Sequence, residues 1–249
     1  MRRYYVKYTV AARARGGDIV NGGAMFYKYI IRFDDGEEKV VDIQLDPDTL
    51  NILPKKNADI PQWAHLDFVK CDICPYDSAS CKYCPIALNL SEVTKLFPDK
   101  VSATVVDVRV VTREREYFKR TSLASALSSI IGIYMATSGC QELDILKPMV
   151  RHHLPFATLN ETTYRSISSY LLQQYFQKQK GLEPDWELKK LAKAYETIEV
   201  LNRAMVDRIR KSSANDANYS AVIILDVFAK MVPWAIDESL SAKAILLPE

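Results

Sequence analysis

Residues 117–139 read "YFKRTSLASALSSIIGIYMATSG". Within this stretch the texture of the chain changes. From Thr121 onward Leu123, Leu127, Ile130, Ile131 and Tyr134 recur at helical spacing. Gly139 is a natural stop, because a helix often ends on a residue with positive φ. The switch divides the chain into a β-rich part, residues 1–120, and an all-helical part, residues 121–249. Strands followed by helices, rather than strands alternating with helices, point to an α+β fold.

Upstream, the strand signals come in pairs. "VSATVVDVRVV" (101–111) and "EYFKRTSL" (116–123) predict a hairpin around Arg113–Glu114. "AMFYKYIIRF" (24–33) and "EKVVDIQL" (38–45) flank "DDGE" (34–37). The Asp35–Gly36 dipeptide predicts a type I′ turn, with positive φ at both central residues. "RYYVKYTVAA" (3–12) alternates as a further strand. "WAHLDFVK" (63–70) alternates Trp63, His65 and Asp67 against Ala64, Leu66 and Phe68, and predicts a strand entering a cysteine cluster. "IALNLSEVTKLF" (86–97) predicts a short helix, with Pro85 in its first turn and Pro98 beyond its end.

Downstream, "TLNE" (158–161) is a capping box that opens a helix running to Gly181. A third helix is expected from near Asp185, with Leu191, Tyr195, Ile198, Leu201, Met205 and Ile209 on one apolar face. "SSANDAN" (212–218) predicts a break. "YSAVIILDVFAKMV" (219–232) predicts a last buried helix that ends near Pro233.

The composition excludes several function classes. The chain has 249 residues, a net charge of +2 and eight glycines. So small a charge does not call for a nucleic-acid partner. Scarce glycine, and the absence of P-loop, G-x-G-x-x-G, H-E-x-x-H and G-x-S-x-G motifs, argue against the standard cofactor and hydrolase sites. "MRRYYVKYTV" (1–10) has no apolar core of a secretory signal. "AVIILDVFAKMVPWAI" (221–236) is interrupted by Asp226, Lys230 and Pro233, so no membrane span is expected there. The expectation is a cytoplasmic location, where thiols stay reduced and paired cysteines serve metal or redox chemistry.

That bears on "CDICPYDSASCKYCP" (71–85), which holds Cys71, Cys74, Cys81 and Cys84 as two Cys-x-x-Cys pairs. Each pair turns both sulfurs to one side. Two facing pairs offer a tetrahedral thiolate set, which suits a closed structural Zn²⁺ site. A six-residue spacer with Pro, Asp and two Ser is rich in reversal residues. An iron–sulfur cluster, a redox dithiol or disulfide, and unliganded core cysteines are the other readings. His65 is an alternative ligand. Four thiolates leave no coordination position for substrate, so the metal would be structural rather than catalytic.

The fifth cysteine falls in a second polar island, where Cys140, Asp144, Arg151, His152, His153 and Glu161 gather. Cys140 follows a glycine and is expected at a helix N-terminus, where the macrodipole lowers a thiol pKa. A Cys140 nucleophile with His152 or His153 is the enzymatic alternative. A small buried cysteine, or a ligand pocket, is the other. Aromatics along Tyr164–Phe176 read as core rather than a base-stacking platform. "TREREYFKR" (112–120) reads as a solvated edge rather than a phosphate site.

The blocks "CDICP…CKYCPIALNL", "SLASALSSIIGIYMATSGCQELDILKPM", "HLPFATLNETTYRSISSYLLQQYF" and "EPDWEL" resemble a family of uncharacterised bacterial proteins, a domain of unknown function. The resemblance covers nearly the whole chain. It implies a β-rich N-terminal region with a cysteine knuckle and a helical C-terminal region, and it brings no activity. The expected function is therefore a non-enzymatic, zinc-stapled module that binds, regulates or scaffolds. Its partner would be a protein or a small ligand, with nucleic acid and membrane disfavoured. The alternative is a thiol-dependent enzyme, or a redox or ligand sensor, at Cys140, His152 and His153. Homodimerisation through the helices stays open, since no heptad seam is long enough to demand it.

Overall fold

The computed structural model describes residues 25–53, 60–98, 100–212 and 216–241. The strand expected at 3–12 and residues 213–215 of the break expected at 212–218 lie outside these residues; one helix ends at Lys211 and the next starts at Asp216.

Four antiparallel strands form one sheet: β1 (Met25–Phe33), β2 (Glu38–Leu45), β3 (Val105–Val111) and β4 (Glu116–Ser122), in the order β2-β1-β3-β4. The two expected hairpins form, and β1 joins them by pairing with β3. Alternation places Tyr27, Tyr29, Ile31, Phe33, Val106 and Val108 on the buried face, while Lys28 and Arg32 point to solvent. The first turn differs from the I′ expectation. Only Gly36 takes positive φ, at 90°. Its N–H donates to the Phe33 carbonyl at 3.0 Å, and the Phe33 N–H donates to Glu37 O at 2.9 Å. This is a type I turn closed by a glycine bulge, and the third loop residue relieves Asp35 of a strained φ. The outer strand β4 is a charged edge, as expected. Arg109 grips Glu116 with two hydrogen bonds, and Arg120 bridges Asp34 and Asp107.

Among the described residues six helices follow or interrupt the sheet: α1 (Pro85–Thr94), α2 (Leu123–Ala136), α3 (Lys147–Arg151), α4 (Leu159–Gln179), α5 (Lys189–Lys211) and α6 (Asp216–Ser241). The chain is thus α+β, with strands first and helices after. Helix α2 starts at the residue after β4 and has buried residues on almost every side. It is the central helix, packed against the sheet, α1 and α6. One continuous core runs from Tyr27 in β1 to Ile236 in α6. The capping box of α4 forms as expected: Thr158 Oγ1 accepts from the Glu161 N–H, and the Glu161 carboxylate accepts from the Thr158 N–H at 2.7 Å. The six apolar residues expected on α5 are all buried.

Two expectations fail for identifiable reasons. Helix α6 does not end near Pro233 but runs through it to Ser241. Proline forfeits one backbone hydrogen bond, yet Val232 and Ile236 flank it one turn apart and both are buried, which holds the helix on course. With the run unbroken, Ala217–Ile236 is long and apolar enough, by length and composition, to cross a membrane. Here it packs along α2 and α5, with Ala221, Val222, Ala229 and Val232 buried. The second failure is "WAHLDFVK", which forms two short 3-10 turns, Gln62–Ala64 and Leu66–Phe68, instead of a strand. The cause sits on α5.

Candidate functional site

Arg208 of α5 is 1% exposed. Its guanidinium donates to the carbonyls of Trp63 and His65, each at 2.6 Å, to Leu66 O at 2.9 Å, and to Val69 O. Carbonyls that would run along a strand ladder converge instead on one cation, and the segment curls into turns around it. Its Nε is buried without a partner. Among the described residues no carboxylate pairs with Arg208; the ionisable groups that face it are Cys84, Cys71 and Cys74.

The cysteines follow directly. Leu66 N donates to Lys82 O, Cys84 N donates to Ala64 O, and an isolated bridge joins His65 to Tyr83, so the two ends of the cluster are laced together. The His65 ring lies edge-on to Tyr83 at 4.9 Å. The first pair turns through Cys74 N to Cys71 O at 3.0 Å. Cys84 is the N-cap of α1 by its backbone, with no side-chain capping hydrogen bond, and burial pushes its thiol pKa up. Burial, then the adjacent Cys74 and Cys84 thiols, push Cys71 up to about 11. The Cys81 thiol donates to Tyr83 O at 3.1 Å. All five cysteines are free thiols, and among the described residues no three Cys, His, Asp or Glu side chains are arranged as a metal-holding group.

Cys140 lies beside this cluster. Tyr76, between the two pairs, donates its hydroxyl to Gly139 O at 2.9 Å and accepts from Gln141 N at 3.3 Å. It therefore clamps the residues on both sides of Cys140. The thiols around Cys140 are Cys84, Cys71 and Cys74. As expected, Cys140 stands at the head of a helical turn, the 3-10 segment Gln141–Leu146, with the Glu142 amide nearby but no side-chain capping hydrogen bond. The expected pKa lowering does not follow: burial outweighs the amide and pushes the thiol up to about 12. A short 3-10 turn has little dipole to set against desolvation.

The histidines occupy another neighbourhood. His152 is exposed. His153 shares hydrogen bonds through Nε2 with the Tyr29 hydroxyl at 2.7 Å and with Ser129 Oγ at 3.3 Å. The Tyr27 ring lies edge-on to it at 5.2 Å. Burial, reinforced by the Arg165 charge, pushes its pKa down to about 3, so it is neutral. Among the described residues no hydrogen bond joins Cys140 to His152 or His153. Arg165 of α4 holds the intervening chain by donating to Met149 O at 2.6 Å and His152 O at 3.0 Å.

Two cavities adjoin at this point. One, of about 310 Å³, lies among α2, α5 and α6 with mostly apolar walls. The other, of about 690 Å³, lies beside the β3–β4 turn with arginine-rich walls. His153, Leu154 and Arg165 line both. Sequence reasoning singled out His153 but missed Tyr29, Ser129, Arg165 and Arg208. A tyrosine in a strand, a serine in a helix and arginines on amphipathic helices carry no local signal of what they will meet.

No curated protein matches this chain, and no solved structure matches it. A family model described as Domain of unknown function (DUF6901) matches residues 25–246. The match takes in both the sheet and all six helices, so the chain belongs to the family of that domain of unknown function.

Proposed function

We propose that the protein is a non-enzymatic cytoplasmic module for a small ligand, in which Cys71, Cys74, Cys81 and Cys84 hold a structural Zn²⁺. The observation that carries the metal reading is Arg208. A guanidinium this deeply buried needs a counter-charge, and the groups it faces are cysteines. Neutral thiols do not balance a cation. Thiolates do, and a bound divalent metal is what keeps buried thiols deprotonated at neutral pH. The Cys84 sulfur, buried at the head of α1 and facing Arg208, fits a thiolate ligand. The metal would tie the Cys71–Cys84 loop to α1 and to the carbonyls gathered by Arg208. It would supply folding energy on the order of 10 kcal/mol.

The small-ligand reading has its own support in the two adjoining cavities. The thiol-enzyme alternative has less. Cys140 is a protonated thiol packed beside the knuckle, and His153 is a neutral ring engaged with Tyr29 and Ser129.

Elemental analysis of the purified full chain tests the metal. One zinc per chain is the expected result, with a large drop in thermal stability after chelation. A brown, iron-containing sample, or a metal-free chain that melts no lower than before chelation, would overturn the reading.

A further inference from the structure

The arginine-rich cavity draws Arg113 and Arg115 from the β3–β4 turn, Arg151 from α3 and Arg165 from α4, against one carboxylate, Glu114. Arg151 donates to Pro47 O at 2.7 Å, and Arg165 to two carbonyls. Among the described residues none of the four guanidiniums is in an ion pair. Four arginines around one concavity focus a positive field, and their remaining donors suit a planar or tetrahedral anion.

The adjoining cavity has the opposite chemistry. Ile133, Leu146, Phe156, Leu225 and Phe228 are among its walls. Its 310 Å³ equals about ten water volumes at roughly 30 Å³ each. That is room for a medium-length acyl chain. At the shared wall stand Leu154, Arg165 and the neutral His153. A ligand crossing it passes from a charged wall to an apolar one.

We propose that the protein binds a medium-chain amphipathic anion, with its head among Arg113, Arg115, Arg151 and Arg165 and its apolar body against Phe156 and Leu225. A carboxylate and a phosphate head share the required chemistry. The proposal rests on the small-ligand part of the function proposed above and is independent of the metal. Each half contributes separately: the guanidiniums hold the head, and burial of the chain removes apolar surface from water.

Calorimetric titration of the full chain tests it, with octanoate and octyl phosphate as probes and octanol and inorganic phosphate as controls. The expected result is one bound amphiphile per chain, with both controls at least tenfold weaker. The stronger of the two amphiphiles identifies the head. Arg113→Gln with Arg115→Gln, on an exposed turn, is expected to weaken both amphiphiles at least tenfold and leave octanol unchanged. Gly132 lines the apolar cavity, where an added Cβ has room, 3.7 Å from Leu225 Cδ2, and Gly132→Leu puts further bulk at that wall. It should abolish amphiphile binding without lowering the melting temperature. Octanol binding as tightly as octanoate, inorganic phosphate as tightly as octyl phosphate, or no binding of either amphiphile would each overturn the proposal. Zinc measured on the same samples separates the readings, because amphiphile binding by metal-free folded protein supports this site while removing the metal.

Discussion

Arg208 Nη1 lies 2.6 Å from the carbonyl oxygen of His65, a residue 143 positions earlier in the chain. The same guanidinium takes three more carbonyls, so a single side chain of α5 organises the approach to the cysteines. Replacing Arg208 with Met should leave those carbonyls buried and unpaired. At about 1–3 kcal/mol for each orphaned group, the loss is expected to exceed about 3 kcal/mol. Arg208→Lys should recover little of it, because an ammonium cannot reproduce the planar fork. Urea unfolding at pH 7 measures both; a Met variant within 1 kcal/mol of the parent would mean that the carbonyls find water.

The ligand set proposed for zinc separates the five cysteines. Serine at Cys71, Cys74, Cys81 or Cys84 is expected to reduce zinc content well below one per chain. Serine at Cys140 should leave it at one and lower stability only modestly, since a small buried side chain is exchanged for one of similar size. Zinc retained by the Cys81→Ser variant and lost by the Cys140→Ser variant would reassign the fourth ligand, and the clamp of Tyr76 on Gly139 and Gln141 shows where that would arise.

His153 predicts a pH dependence. Its pKa is about 3 in the folded chain and 6.5 unperturbed, chiefly through burial and then through the Arg165 charge. Below about pH 6.5 the unfolded chain takes up a proton that the folded chain refuses, so stability falls as pH falls. The loss should run toward about pH 3 at up to about 1.4 kcal/mol per pH unit. The flanking Tyr27 and Tyr29 hydroxyls stay protonated across this window, with burial raising both. Denaturation midpoints at pH 7, 6 and 5 give the slope. His153→Gln should flatten it, and an unchanged slope in that variant would place the titration elsewhere.

Thr158 and Glu161 close the capping box at the head of α4. Thr158→Ala removes the acceptor for the Glu161 amide, and the expected cost is about 1 kcal/mol. Thr158→Ser should be nearly neutral. The comparison of the two melting temperatures distinguishes a lost cap from a general disturbance of the α3–α4 turn.

Much of this could be read along the chain. The β1–β2 and β3–β4 hairpins, the start of α2, the capping box and the apolar face of α5 all follow from period and punctuation, which act over a few neighbouring residues. So does the suspicion that Cys71, Cys74, Cys81 and Cys84 act together. Errors came where a distant group intervened. "WAHLDFVK" has the alternation of a strand, but Arg208 takes its carbonyls. Pro233 has the look of a terminator, but burial of Val232 and Ile236 carries α6 past it. Cys140 has the setting of an activated thiol, but burial reverses its pKa shift.

The sequence alone determined the two hairpins and the starts of α2 and α4, because periodicity and capping are local properties of a polymer. Tertiary structure decided what faces what: Arg208 toward three thiols, Tyr76 across Cys140, and His153 between an apolar cavity and an arginine-lined one. Those relationships join residues more than sixty positions apart, or one face of a helix to another. They are set by how the sheet and α2, α5 and α6 pack around one core.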